Sequence, residues 1–197
     1  ASDVYKRQFL NYPKNHSKDL TCLKRNKCDI TYTPNVDDLY MKNETSKNYN
    51  FNGLEKFMEG KYRPGHFYGM ATVVEKLFNI IKPDYAFFGQ KDLQQLQIVK
   101  ALTKKMKINT VIKKVKTIRE TNGLAKSSRN SLLTANQKKE ASLIYSCLVY
   151  CKENMQKPIT ELKDIIHQKI NHSKYLKFYK YSIYLFLLAS LDHIQVN

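Results

Sequence analysis

At 197 residues, 42% of them hydrophobic and 12% aromatic, the chain can bury one good core or a core plus a small appended domain, and a globular protein is expected. No stretch approaches the roughly 20 consecutive apolar residues of a membrane span, and the N-terminus lacks the charged start, apolar run and small-residue cleavage site of a secretory signal, so a cytoplasmic protein without a membrane anchor is expected. The formal charge of +17 would attract phosphates, but lysine supplies nearly all of it and planar bidentate recognition favours arginine, which leaves a basic nucleic-acid-binding module as the alternative function only.

From the N-terminus, the polar run His16 to Lys27 has Leu20 and Leu23 at helical spacing and leads into a β-prone run, Asp29 to Thr33, ended by Pro34. The asparagine-rich stretch Met41 to Asn52 reads as a loop, and Leu54 to Met58 as a short helix. Between Phe67 and Ile81 the apolar positions Phe67, Met70, Ala71, Val74, Leu77, Phe78 and Ile81 recur at three- and four-residue spacing, the pattern of one buried helix face, and Pro83 stops it. Asp84 to Phe88 reads as a buried strand, broken at Gly89 ahead of a helix through Leu93, Leu96, Ile98, Val99 and Leu102. Thr110 to Ile118 reads as the following strand. Strand, helix, strand, helix, strand in that order predicts an α/β fold with a parallel sheet and right-handed crossovers.

Beyond Glu120 a polar loop, Thr121 to Asn130, precedes Thr134 and Gln137, which form a capping box for a helix to about Met155; Pro158 begins another that ends near Ile170. A domain boundary is placed near Lys116, with a smaller, mainly helical part after it. Four cysteines, Cys22, Cys28, Cys147 and Cys151, match no standard zinc spacing. Cys147 and Cys151 lie four apart on the first of these helices, beside Ile144 and Leu148, and read as core thiols.

Three segments can carry chemistry. Gly89-Gln90-Lys91-Asp92 stands where a strand ends and a helix begins, a place whose free N–H groups and helix dipole favour an anion. Lys91 adds a point charge, and Asp92 offers oxygen to Mg²⁺. Gln94 and Gln95, at the start of the helix, can donate amide hydrogen bonds to a carboxylate or hydroxyl. Lys126-Ser127-Ser128-Arg129 sets two cations around two hydroxyls after Gly123, suited to closing over a polyphosphate. In Arg63-Pro64-Gly65-His66 the turn residues leave Arg63 and His66 close together. There is no Walker P-loop, GxGxxG or GxSxG element and no paired H-x-G-H.

Taken together and in order, Glu59-Gly60 with RPGHF at Arg63 to Phe67, VVEKLFNIIKPD at Val73 to Asp84, FFGQKDLQQL at Phe87 to Leu96 and RETNGLAKSSRN at Arg119 to Asn130 resemble the pantothenate synthetase (pantoate–β-alanine ligase) family. The likeness runs from about Phe9, through Tyr12-Pro13 and Asp29 to Tyr40, to roughly Ile170. It implies a Rossmann-like parallel sheet of the HIGH-type nucleotidyltransferase group over residues 9–116, and a smaller, mainly helical α+β lid domain over 117–173. The implied reaction is adenylation of pantoate by ATP with release of diphosphate, then attack by the amine of β-alanine to give pantothenate and AMP, in a homodimer. By motif position, the resemblance assigns Gly89, Gln90, Lys91, Asp92, Ile118, Lys126, Ser127, Ser128 and Arg129 to ATP, Gln95 to pantoate and Asp92 to Mg²⁺. Lys91 and Arg129 would act on phosphate charge in catalysis.

The departures also carry expectations. The family's first signature, a histidine-glycine-histidine segment that binds ATP and supplies the catalytic histidine, has no counterpart here, nor do the asparagine and glutamine that follow it and hold pantoate. The chain is therefore read as an N-terminally incomplete copy. Residues 1–8 match no part of the family, so Gln8 is not taken for the pantoate glutamine; residues 174–197 are likewise read as an unmatched tail. Lys126 replaces a usually aliphatic residue.

Overall fold

The computed structural model describes residues 15–176; the terminal segments 1–8 and 177–197, with the apolar run Tyr181 to Leu191, lie outside them. The chain divides into two compact units, residues 15–44 with Ser127–Leu133, and Thr45–Lys126 with residues 134–176.

In the first unit, α1 (His16–Arg25) forms where the spacing places it, and Asn26 closes it through N–H bonds to the carbonyls of Cys22 and Leu23, both 3.1 Å. None of its residues is buried. The short α2 (Val36–Leu39) is held at its start by the Asp38 carboxylate, which accepts from the Asn35 N–H at 2.7 Å. The strand expected over Asp29 to Thr33 does not form. β-Branched and aromatic side chains favour a strand only against a partner strand and a packed face, and here Ile30 is 85% exposed and no ladder reaches it among the described residues.

The second unit holds the principal core. A 3₁₀ turn, Leu54–Lys56, and α3 (Met58–Tyr62) lead to α4 (His66–Ile81). Then follow β1 (Tyr85–Gly89), a 3₁₀ turn at Gln90–Asp92, α5 (Leu93–Met106) and β2 (Val111–Val115). β1 and β2 are parallel, in register from Tyr85 opposite Val111 to Gly89 opposite Val115, with α5 as the crossover. This confirms the α/β class. Helices α4 and α5 both end on a lysine in the left-handed region, Lys82 (φ 49°) and Lys107 (φ 52°), a position glycine usually takes.

Phe67 and Ala71 of α4 meet Ile98 and Leu102 of α5 in one cluster. Each side chain fully buried there contributes roughly 1.5–3 kcal/mol, less for Ala71. Tyr49 and Phe51, stacked with ring centroids 5.4 Å apart, complete the cluster, so the stretch Met41 to Asn52, read as a loop, supplies two core aromatics. The inward face of α4 is also rotated from the apolar stripe. Ile81 is 53% exposed, while Thr72 and Glu75 are buried.

Glu75 explains both differences. It accepts from the Tyr49 hydroxyl at 2.5 Å and the Lys47 ammonium at 2.9 Å, while Thr72 Oγ1 accepts from the Lys47 N–H at 2.9 Å. Residues 47–51 are thus fastened to α4 through polar groups. Burial alone would raise the Glu75 pKa, but the hydrogen bonds from Tyr49 and Lys47 and the charges of Lys47 and Lys76 outweigh it and hold the carboxyl below the ordinary value of 4.5. The unfolded chain then binds the extra proton between the two values, so this stabilisation is complete above pH 4.5 and is lost as pH falls through the lowered value. Glu75→Gln is expected to lose about 1–3 kcal/mol at neutral pH. Its stability, followed by circular dichroism, is expected to fall less steeply than the parent's as pH drops below 4.5. An unaltered pH profile would remove Glu75 from this role.

The strand over Asp84 to Phe88 forms, but it is not buried as expected: Tyr85 is 56% and Phe87 70% exposed. Among the described residues only the opposite face is packed, Phe88 meeting Phe78 of α4 edge-on at 6.4 Å. Gly89 has extended backbone, φ −67° and ψ 131°, so the expected glycine turn is an ordinary strand end.

The remaining helices match their signals. In α6 (Ala135–Glu153) Thr134 and Gln137 make the reciprocal capping box, and α7 (Ile159–Asn171) starts directly after Pro158. Cys147 and Cys151 pack with Leu162, Ile166 and Ile170. Burial pushes both thiols up, opposed by the charge of Lys169. They are core groups, as expected.

Candidate active site

The Gly89–Asp92 segment lies at the C-terminal end of β1 and enters α5 through a 3₁₀ turn. N–H groups at such a start have no upstream acceptor within the helix and point toward any bound anion. Gln90 is buried, whereas Lys91 and Asp92 are exposed. Neither Lys91 nor Asp92 has a side-chain partner among the described residues. Asp92 is the N-cap of α5 yet makes no capping hydrogen bond. Among the described residues no three histidine, cysteine or acidic side chains gather into a metal cage. A single uncommitted carboxylate nevertheless fits Mg²⁺, which keeps water and substrate phosphate oxygens in most of its shell.

The two glutamines at the start of α5 separate cleanly. Gln94 is buried, and its amide donates to the carbonyls of Leu54 and Phe57, both at 2.8 Å, while its oxygen accepts from the Glu59 N–H at 3.0 Å. Its hydrogen-bonding capacity is taken up by the 54–59 turn. Gln95, half-buried, has no side-chain hydrogen-bond partner among the described residues.

In the same unit, Ile118 is 66% exposed and its carbonyl accepts from the Lys126 N–H at 2.8 Å. An antiparallel bridge, Arg119 with Ala125, closes the turn between them. Gly123 is required in that turn: its φ is +85°, and a Cβ there would lie 2.0 Å from the Tyr145 ring, which Arg119 also covers at 4.4 Å. Ser127, Ser128 and Arg129 fall in the other unit, where Ser127 Oγ accepts from the Arg129 N–H at 3.3 Å and caps the 3₁₀ turn Ser128–Leu132. The loop expected over Thr121 to Asn130 is thus a bridged turn followed by a capped one.

Arg63 and His66 are together as their spacing predicts, Nη1 to Nε2 at 3.1 Å, and Glu59 pairs with Arg63. A guanidinium only donates, so His66 Nε2 accepts and its proton belongs on Nδ1. Burial and the Arg63 charge lower the His66 pKa, against an opposing pull from Glu59. A cavity of about 350 Å³ lies beside this cluster, lined by Glu55, Lys56, Gly60, Lys61, Phe67 and Tyr68 among others. None of the residues expected to bind nucleotide or pantoate lines it.

A strand that leads through a short turn into the crossover helix to its parallel neighbour makes this a Rossmann-like α/β protein. The chain belongs to the pantoate–β-alanine ligase family, whose model matches residues 4–188. The match passes both ends of the motif resemblance, taking in residues 4–8 and 174–188. Similar proteins include the pantothenate synthetases of Flavobacterium psychrophilum, 48% identical over 72% of this chain and 51% of that one, and of Buchnera aphidicola, 39% identical over 94% and 65%. Among solved structures, pantothenate synthetase from Thermus thermophilus superposes with TM-score 0.77 at 31% identity, covering 83% of this chain and 60% of that one. Pantoate–β-alanine ligase from Francisella tularensis, complexed with β,γ-ATP and β-alanine, gives TM-score 0.70 at 33% identity, over 84% and 62%. The chain spans about half the length of the first relatives it matches.

Proposed function

We propose that the protein serves the ATP-dependent condensation of (R)-pantoate with β-alanine to pantothenate, through a pantoyl adenylate, with release of diphosphate and then AMP. The observation that carries this reading is the Gly89–Asp92 turn, with the side chains of Lys91 and Asp92 exposed and uncommitted at the start of α5. In it the N–H groups of Gly89 to Asp92 hold phosphate oxygens, Lys91 balances the charge that builds as the pantoate carboxylate attacks the α-phosphorus, and Ile118 and Lys126 meet the nucleotide; Ser127, Ser128 and Arg129, in the other unit, are nucleotide-binding and Arg129 catalytic by the family resemblance. Gln95 orients pantoate. Mg²⁺, when bound at Asp92, would supply further charge neutralisation on the phosphates. The reading includes a homodimer, a cytoplasmic setting, and a nucleotide-binding domain over 9–116 followed by a lid domain over 117–173.

The family's histidine-glycine-histidine segment is not in this sequence. The test is therefore ATP-dependent AMP formation with pantoate and β-alanine, comparing the chain alone with the chain joined to that segment from the Flavobacterium psychrophilum relative. AMP that appears only with all three substrates in the joined protein supports the ligase. Silence in both, with each folded by circular dichroism, overturns it.

A further inference from the structure

The turn between Ile118 and Lys126 is closed on itself and then fastened to α6. The Lys126 N–H donates to the Ile118 carbonyl and the Glu120 N–H to the Leu124 carbonyl, both at 2.8 Å. Asn122 and Gly123 form the tip. The Asn122 side-chain oxygen accepts from the Leu124 N–H at 3.1 Å, and Gly123 takes the left-handed conformation at φ 85°. Three contacts then fix this turn. Arg119 Nη1 donates to the Gly123 carbonyl at 3.2 Å while its guanidinium lies over the Tyr145 ring of α6, Cζ 4.4 Å from the centroid. Gly123 is buried against the same ring, and the Asn122 amide donates to the Lys138 carbonyl of α6 at 3.4 Å. A planar guanidinium can cover a ring and still hold a carbonyl; a lysine ammonium is a poorer substitute for both duties.

α6 itself starts from the N-cap Thr134. The segment Ser127–Leu133 therefore leaves the fastened turn at Lys126 and rejoins the chain at the start of the helix to which that turn is fastened, so both of its ends belong to one body. Without the ring, the turn would keep only the long Asn122 contact to α6, and the end at Lys126 would be free to wander. We propose that Tyr145 and Arg119 are positioning residues whose stack holds the base of the segment carrying Ser127, Ser128 and Arg129, so that these groups meet a bound triphosphate already ordered. The inference deepens the proposed nucleotide site and rests on that reading. The ring is what the device needs and the hydroxyl is not, so Tyr145→Phe keeps it and Tyr145→Leu removes it.

Two measurements test it. In the chain itself, Tyr145→Leu is expected to speed amide exchange at Glu120, Gly123, Leu124 and Lys126 by roughly tenfold, with α5 unchanged. In the chain joined to the family's N-terminal segment, it is expected to raise KM for ATP by roughly tenfold, because a segment ordered only part of the time binds in proportion to its ordered fraction. KM for pantoate is expected to stay within about twofold. A mere loss of folded protein lowers kcat and moves neither KM. Tyr145→Phe is expected to restore both the exchange rates and KM. Arg119→Leu, which leaves α6 intact, is the second variant; it is expected to raise KM for ATP alike, and the double variant to add little, since the two side chains form one device. Unchanged exchange in the turn overturns the proposal. So does a KM for ATP within about twofold of an active parent, or a Tyr145→Phe protein as impaired as Tyr145→Leu. A silent parent fails the ligase reading alone, and the exchange rates then decide the role of the stack.

Discussion

Replacing Lys91 by alanine in the chain joined to the family's N-terminal segment is expected to lower kcat for AMP formation by about 10²–10³-fold, the cost typical of losing one preorganised charge-stabilising group. Stability is expected to change by no more than about 0.5 kcal/mol, because Lys91 is exposed and makes no ion pair among the described residues. The effect belongs in kcat more than in KM. A lysine that merely attracted ATP would bind ground state and transition state alike, and its loss would raise KM with kcat unchanged. Lys91→Arg keeps the charge but moves it onto a planar fork, so partial recovery is expected. Steady-state kinetics with ATP varied separate the cases. A kcat within about twofold of the parent for Lys91→Ala would take this residue out of the adenylation step.

The two halves of this reading were not equally visible in the sequence. Local signals were accurate where a residue type has a single structural use. The Thr134–Gln137 capping box, Pro158 ahead of α7 and Pro83 behind α4 each mark a boundary the structure keeps. Of the spaced residues Leu93, Leu96, Ile98, Val99 and Leu102, all but the half-buried Leu93 lie on the buried face of α5. What local patterns could not convey was partnership. Among the described residues, Asp29 to Thr33 has strand composition without a strand beside it, and the uncharged β1 is packed on one face only. Tyr49 and Phe51 reach the core from a polar, asparagine-rich stretch because Glu75, an acidic residue on a helix, is buried to receive Tyr49 and Lys47. Hydrophobic periodicity scores such a glutamate as solvent-facing. The site shows the same division: the position of Gly89–Asp92 was legible from the change of period at a strand end. That Gln94 is tied to the 54–59 turn was not legible from the residues themselves, since adjacent residues of one type differ only in which way the helix turns them; only the family resemblance singled out Gln95.

That difference gives the second large effect. Gln94→Ala is expected to cost about 3 kcal/mol, because it strands the carbonyl of Leu54 and the N–H of Glu59 in a part-buried turn and leaves the Phe57 carbonyl only the Lys61 N–H at 3.3 Å, and each orphaned group costs roughly 1–3 kcal/mol before partial recovery by water. For a chain of this size that is a fall of about 6–12 °C in Tm. Gln95→Ala, one position on, removes no hydrogen bond among the described residues and is expected to leave Tm within about 2 °C. In the joined protein it is instead expected to raise KM for pantoate by about tenfold, the loss of one hydrogen bond to a charged or strongly polar ligand group. Thermal melts and pantoate saturation curves on the same two variants decide the assignment. If Gln94→Ala melts like the parent, the turn is not held by this amide. If Gln95→Ala loses stability while KM stays fixed, its side chain serves the fold and pantoate is held elsewhere.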